Sequence, residues 1–309
     1  MFLVRGTRGV GRLRVGTSLR PLRGQDVASA MRTMITSVQN QRVKDASRLR
    51  DRRQREKQGR FVIDGARELG RAIDGGLELL EVFVCQPLCV GDAARSVVAR
   101  LDGASVERFG VTRDVFAKLA FGERAEGVLG VARTPRNSLS DLRLGERPLV
   151  AVVEAIEKPG NLGAVLRSAD AAGVSAVIAA GHGTDLYNPN VIRASLGTVF
   201  TLPVRAAACD EALEWLREQG LDVFAARVEA PRLYTDVAYT GPAAIVLGNE
   251  VAGLSSVWNA SGVTPVRLPM RGAADSLNIA AAAAVLFYEA LRQRHSVVSQ
   301  RRDGLDDDP

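Results

Sequence analysis

The sequence predicts an α/β protein of two layered domains, the second built on a mostly parallel sheet. Three observations predict it. From about Arg60 onward, short apolar runs alternate with helix-period segments. The later runs are continuously apolar, as strands covered on both faces must be. Between the halves, "TPRNSLSDLRLGERP" carries Pro, Asn, Ser and Gly with little periodicity, the composition of a linker.

In chain order, "RFVIDGARELGRAIDGG" reads as a strand and a helix, "LELLEVFVC" as a strand and "DAARSVVARLDG" as a helix. "ASVERFG" (strand), "TRDVFAKLAF" (helix) and "EGVLGVAR" (strand) complete a small α/β domain. We expect it over residues 34–134, a linker over 135–146, a second domain over 147–295 and a C-terminal tail over 296–309. In the second domain the buried-strand candidates are "PLVAVVEAI" (148–156), "SAVIAAG" (175–181), "LDVFAARV" (221–228) and "AAIVLGNE" (243–250). Helical segments at 161–173 and 210–220 fall between them, giving repeated βα units. In such sheets ligands bind beyond the carboxyl ends of the strands.

The chain has 309 residues, 46% hydrophobic and 25% charged, enough for two globular domains. No apolar run approaches the roughly 20 residues that cross a bilayer, and the N-terminus lacks the apolar stretch of a secretory signal. A soluble, cytoplasmic protein is expected. Cys85, Cys89 and Cys209 form no CxxC pair, and His182 and His295 are the only histidines. This argues against a disulfide scaffold, a metal site and a Ser-His-Asp triad.

Charge is unevenly placed. Residues 1–60 hold 16 Lys/Arg against 4 Asp/Glu, while the rest of the chain is mildly acidic. A polyanion is the natural partner. The densest part, "RVKDASRLRDRRQREKQGR" (42–60), reads as one polar helix with Arg48, Arg52 and Arg55 on neighbouring turns. Those arginines either contact phosphates or form i,i+4 ion pairs on a solvated face. Residues 1–33 are Gly- and Arg-rich with Asp26 as the single acid, and read as a disordered tail. They also imitate a transit peptide, or reflect a start upstream of Met31 or Met34.

Three strand ends carry polar residues that a bland core does not need: "EKPGNLGAVLRSAD" (157–170), "LGNEVAGLS" (247–255) and "RLPMRGAADSLN" (267–278). Neither GxGxxG nor GxxxxGK[ST] is present. Each element has a plain alternative: Asn161 as an N-cap, Arg167 as a surface residue, Gly248 and Gly253 as turn glycines, Glu250 as a helix-start carboxylate. Their joint order and spacing favour function.

Those three stretches, extended to "LPMRGAADSLNIAAAAAVLFYE", resemble the three motifs of the SpoU or TrmH family of RNA 2′-O-ribose methyltransferases in the SPOUT superfamily. Residues 35–73 resemble the opening of these proteins, whose first domain is similar to a ribosomal L30e-like RNA-binding fold. "AGHGTDLYNPNVIRASLGTVFTLPV" (180–204) is similar to the avilamycin-resistance type of ribosomal RNA methyltransferase, and less so to the thiostrepton-resistance type.

The resemblance implies a catalytic domain whose C-terminal part threads a deep trefoil knot, binds S-adenosylmethionine and packs as a homodimer. It assigns Ala226, Leu247, Gly248, Asn249, Leu268, Met270, Ser276, Leu277 and Asn278 to the cofactor. It assigns Arg167, Asn161, Glu250, Ser276 and Asn278 to catalysis, and Ala280–Ala284 to the tight knot and subunit contact. Helix propensity alone also accounts for the alanines. Val251 stands where relatives often carry glycine. A guanidinium is very hard to deprotonate, so Arg167 is read as positioning phosphate and stabilising the developing alkoxide. Three functions are weighed: methyl transfer to structured RNA, with 23S ribosomal RNA ahead of transfer RNA; a non-catalytic RNA-binding or ribosome-assembly protein; and a metabolic enzyme acting on a small anion. The motif residues favour the first.

Overall fold

The computed structural model describes residues 33–102, 104–121, 126–136, 138–181 and 185–303, with side chains as far as Ser296. The expectations for the N-terminal tail fall outside the described residues except at Thr33, which begins a strand. His182 lies outside them too.

The first layer comprises β1 (Thr33–Ile35), α1 (Gln41–Arg48), α2 (Arg52–Gln58), β2 (Arg60–Asp64), α3 (Ala66–Asp74) and β3 (Leu79–Val84). It continues with α4 (Asp92–Arg100), β4 (Glu107–Val111), α5 (Arg113–Leu119) and β5 (Val128–Arg133). Its five strands are ordered β1-β4-β3-β5-β2. The pairs of β4 are parallel and those of β5 antiparallel.

The expected single polar helix over 42–60 is instead two helices. Leu49 ends α1 because its side chain is fully buried in the first-layer core, and the extended Asp51 starts α2 by accepting a hydrogen bond from the Gln54 amide at 3.1 Å. Hydrophobic anchoring thus overrides a locally uniform polar pattern.

The second layer comprises β6 (Leu149–Glu154), α6 (Pro159–Ala171), β7 (Ala176–Ala180), α7 (Pro189–Ala194), α8 (Thr198–Thr201) and β8 (Val204–Ala207). After them come α9 (Cys209–Glu218), β9 (Asp222–Ala226), β10 (Arg232–Leu233), β11 (Ala243–Leu247), β12 (Val263–Arg267) and α10 (Ile279–Asp303). The sheet order is β10-β12-β9-β11-β6-β7-β8, and all of these neighbours pair in parallel. β12 is inserted between β9 and β10, both earlier in the chain. α10 packs along α6 and continues to Asp303, past the expected tail boundary at 296.

One face of the second sheet is covered by α9, with Trp215, Leu216 and Trp258 buried against Val150 and Val152. The other face shares its core with the first layer: a single buried cluster runs from Phe61 and Leu69 through Leu162 and Phe200 to Leu286. At the junction Phe61 stacks on Tyr187, ring centroids 4.5 Å apart, and lies 5.9 Å from Phe200. The side chain of Arg193 donates to the Phe121 carbonyl across the same junction.

Asp64 ends β2 beside this junction. Its Oδ2 accepts from the Phe121 amide, but its buried Oδ1 has no hydrogen-bond partner. Burial, helped by Glu126 and Glu68 and opposed by the Phe121 amide and Arg193, pushes its carboxyl from about 3.8 up to about 6. The native state therefore binds more protons than the unfolded chain between those values, and this group's contribution to stability falls as pH rises through the window. Asp64→Asn should remove that loss: urea denaturation is expected to give a mutant-minus-wild-type stability that grows from pH 4 to pH 6 by on the order of 2–3 kcal/mol, then levels.

Candidate active site

The carboxyl ends of β9, β11 and β12 open into a cleft of about 880 Å³, a volume suited to a small-molecule cofactor. Its walls are the chain that leaves each strand. Ala226 comes from β9, Leu247, Gly248 and Asn249 from the end of β11, and Leu268 and Met270 from beyond β12. Ser276 and Leu277 close it from the approach to α10. Eight of the nine sequence-assigned cofactor positions thus line one cavity; Asn278 stands at its rim.

The 248–253 loop is tightly folded. Asn249 and Gly253 exchange backbone hydrogen bonds of 3.1 and 2.9 Å. A Cβ on Gly248 would lie 2.4 Å from the Gly253 carbonyl carbon, so only glycine fits. The Asn249 side chain is an organiser: Oδ1 accepts from the amides of Val251 and Ala252, and Nδ2 donates to the Ala155 carbonyl at 2.8 Å. Ala155 itself has φ 50°, a strained value for a residue with a Cβ.

Glu154, just before it, is only 6% exposed at the end of an apolar strand. One of its oxygens accepts from the Ser255 amide at 2.9 Å, and the other from the Cys209 thiol at 3.1 Å. Burial first, and then Glu154, push that thiol up to about 12, so it stays protonated and donates. Glu154 and Ala155 therefore pin both ends of the cleft loop to β6. Sequence reasoning missed Glu154, although a carboxylate closing a continuous apolar run was the available signal.

At the rim, Glu250 gathers three chain-distant groups. Its Oε1 accepts from Asn161 Nδ2 and, at 2.9 Å, from Asn278 Nδ2; its Oε2 pairs with Lys158 Nζ at 3.0 Å. Asn278 Nδ2 also lies 3.3 Å from Asn161 Oδ1, while its own Oδ1 caps α10 through the Ala280 amide at 2.9 Å. The N-cap alternative for Asn161 fails, because α6 begins at Pro159 and Asn161 sits within its first turn. Lys158 is a second residue missed from sequence.

Two expected placements differ. Arg167, on α6, does not line the cleft; it lines a separate groove of about 380 Å³ beside Tyr288 of α10. Arg55 is not a phosphate-facing residue. It is 4% exposed and donates to the carbonyls of Leu49 and Arg50 and to the Asp185 carboxylate, tying the two layers together. Arg48 and Arg52 are exposed, each beside an acid on its own helix, Asp45 at 3.6 Å and Glu56 at 2.8 Å. Among the described residues no group of three or more His, Cys, Asp or Glu gathers as a metal site.

Fold and site together define a two-layer α/β protein with a cleft at the carboxyl edge of a parallel sheet and a polar rim that, among the described residues, holds no histidine. Residues 148–288 match the SpoU rRNA methylase family, and residues 40–130 match the MRM3-like substrate binding domain. The chain is 32% identical over 257 residues to the 23S rRNA (uridine(2479)-2′-O)-methyltransferase of Streptomyces viridochromogenes, an alignment covering 80% of this chain and 88% of that protein. A crystal structure of an RNA 2′-O ribose methyltransferase is similar at 43% identity and TM-score 0.73, covering 84% of this chain and 99% of its own. The SpoU methyltransferase AviRb from S. viridochromogenes, solved with AdoMet, is similar at 29% identity and TM-score 0.76, with coverage of 84% and 99%. The chain belongs to the SpoU rRNA methylase family. As a member it is an S-adenosylmethionine-dependent RNA ribose methyltransferase.

The cleft fits that cofactor. Leu247, Leu268 and Leu277 offer apolar walls, Gly248 lets backbone approach closely, and Glu229, Glu250 and Asp275 outnumber Arg227 in the lining, which suits a cation. Glu154→Ala would leave the Ser255 amide without its carboxylate. Isothermal calorimetry is expected to show S-adenosylmethionine binding weakened by about 1–3 kcal/mol, roughly ten- to a hundredfold, with Glu154→Gln retaining most of the affinity.

Proposed function

We propose that this protein methylates a ribose 2′-hydroxyl of 23S ribosomal RNA. The observation that carries the reading is the Glu250 carboxylate joining Asn161, Asn278 and Lys158 at the mouth of the cofactor cleft. These groups reach the rim from two distant stretches besides the Glu250 loop. They make a fixed polar ledge on which an acceptor ribose can be aligned.

When bound, S-adenosylmethionine supplies a methyl group on a sulfonium, already activated toward an oxygen nucleophile. The chain must then align the hydroxyl and stabilise charge as it develops. Ser276 and Asn278 stand between cleft and rim to orient cofactor and ribose, and Asn161 and Glu250 hold Asn278 in place. The guanidinium of Arg167 is a planar fork of donors that holds an RNA phosphate and the developing alkoxide.

Arg167 lies outside the cleft of its own chain, which supports a homodimer in which each subunit's arginine serves a cleft of the other. Val285, 39% exposed on α10, supplies apolar surface for that contact. The second domain is read as knotted: inserting β12 between β9 and β10 requires the chain after β11 to pass the β9–β10 connection. The first layer is read as an L30e-like RNA-binding domain with Arg48 and Arg52 on its exposed helices, the working compartment as the cytoplasm, and 135–146 as the linker.

The first test is transfer of radiolabelled methyl to 23S ribosomal RNA lacking the modification, with transfer RNA in parallel. A single alkali-resistant ribosomal position is expected. Label only on transfer RNA, or none despite cofactor binding, would overturn the reading. Arg167→Ala should abolish transfer with cofactor affinity held within a few-fold. Mixed with the cofactor-defective Gly248→Ala protein, it should regain partial activity, because one hybrid site receives both an intact cleft and an intact arginine. No recovery after verified subunit exchange would sink the shared site.

A further inference from the structure

We propose that Arg71, on α3 of the first layer, joins Arg167 in binding one phosphodiester of the RNA substrate. This inference rests on the methyltransferase reading above. Both guanidinium-bearing residues line the 380 Å³ groove, together with Ser168, Asp170, Thr198 and Tyr288.

Three features make the groove a built site. Arg71 is held in place: its Nη1 donates to the Leu196 carbonyl at 2.9 Å. Leu196 has φ 56°, and Gly197 follows at φ 83°. A Cβ on Gly197 would stand 3.1 Å from Glu68 Cα and 3.3 Å from Arg71 Cβ, so α3 is seated closely on this turn. One N–H of five is used on Leu196, which leaves the remaining fork of Arg71 available to a ligand.

The second feature is charge. Among the described residues the Arg167 side chain makes no hydrogen bond or ion pair, and Asp170 pairs with neither arginine. Two cations facing one small groove against a single carboxylate favour an anion, and two planar forks match the oxygens of a phosphate. The third feature distinguishes a nucleic acid from a free anion. Tyr288 is half exposed at the same groove and offers a ring on which a base next to that phosphate can stack. The docking of the two layers thereby acquires a chemical purpose, since it carries a first-layer cation to the arginine assigned to the acceptor.

The test compares Arg71→Gln, Arg167→Ala and the double variant. Glutamine keeps a polar side chain and removes the charge. Binding of a 23S ribosomal RNA transcript is measured over a range of salt, with calorimetry of S-adenosylmethionine as the control. Arg71→Gln is expected to weaken RNA binding about tenfold and to lower the salt slope by up to about 0.9, the value for one phosphate. Cofactor affinity should stay within a few-fold. Because both arginines grip one phosphate, the loss in the double variant should fall short of the product of the single losses. An unchanged salt slope in folded Arg71→Gln, or fully multiplicative losses, would overturn the shared site while leaving methyl transfer by the wild type intact. Failure of the wild-type protein to methylate any RNA would instead remove the reading on which the site rests.

Discussion

The backbone ladder that seats β12 between β9 and β10 is the constraint on which the carboxyl edge of the protein depends. β12 pairs with β9 from Val263 to Val266 and with β10 at Val266 and Arg267. The connections at 227–231 and 248–262 must therefore pass over the same strand ends, and residues from both form walls of the cleft. Parallel strands end together, which leaves amides and carbonyls of successive loops facing one space. The cofactor cleft follows from how the strands interleave.

Two glutamates then divide the work. Glu154 is inside, where a buried carboxylate is tolerable because the Ser255 amide and the Cys209 thiol both donate to it. Glu250 is outside, where partial exposure lowers the cost of charge and lets three side-chain donors converge. The first fixes the loop that walls the cleft. The second fixes the polar ledge at its rim, the proposed seat of the acceptor ribose. Asn249 links the two levels, because its side chain organises the turn before Glu250 and reaches back to Ala155.

Much of this was legible in the sequence. The apolar runs at 148–156, 175–181, 221–228 and 243–250 coincide with β6, β7, β9 and β11, because strands covered on both faces need continuous apolar sequence. β8 and β12 were not assigned as strands. β8 is a short edge strand, and "VTPVR" contains two polar residues and a proline, so neither carries that signature. The basic segment misled for a related reason. Charge density treats all arginines alike, but Arg55 is drawn inward by Asp185, 130 residues away, and no local pattern encodes that pairing. At the site, the family resemblance brought Asn161, Glu250 and Asn278 into one account and the structure joins them by hydrogen bonds. The position of Arg167 away from the cleft was not readable, because which side of α6 faces which neighbour is decided by tertiary packing.

The stack of Phe61, Tyr187 and Phe200 joins the two layers directly. A tether matters when two bodies move independently, and here the recognition layer and the catalytic layer hold interior side chains in common. They should answer heat as one cooperative body. The same fusion limits modularity: a recognition layer borrowed from a relative would arrive without its matching cradle at 185–202. Retargeting such an enzyme to another RNA therefore means transplanting that cradle along with the layer, a coupling that ties changes in substrate choice to the integrity of the fold.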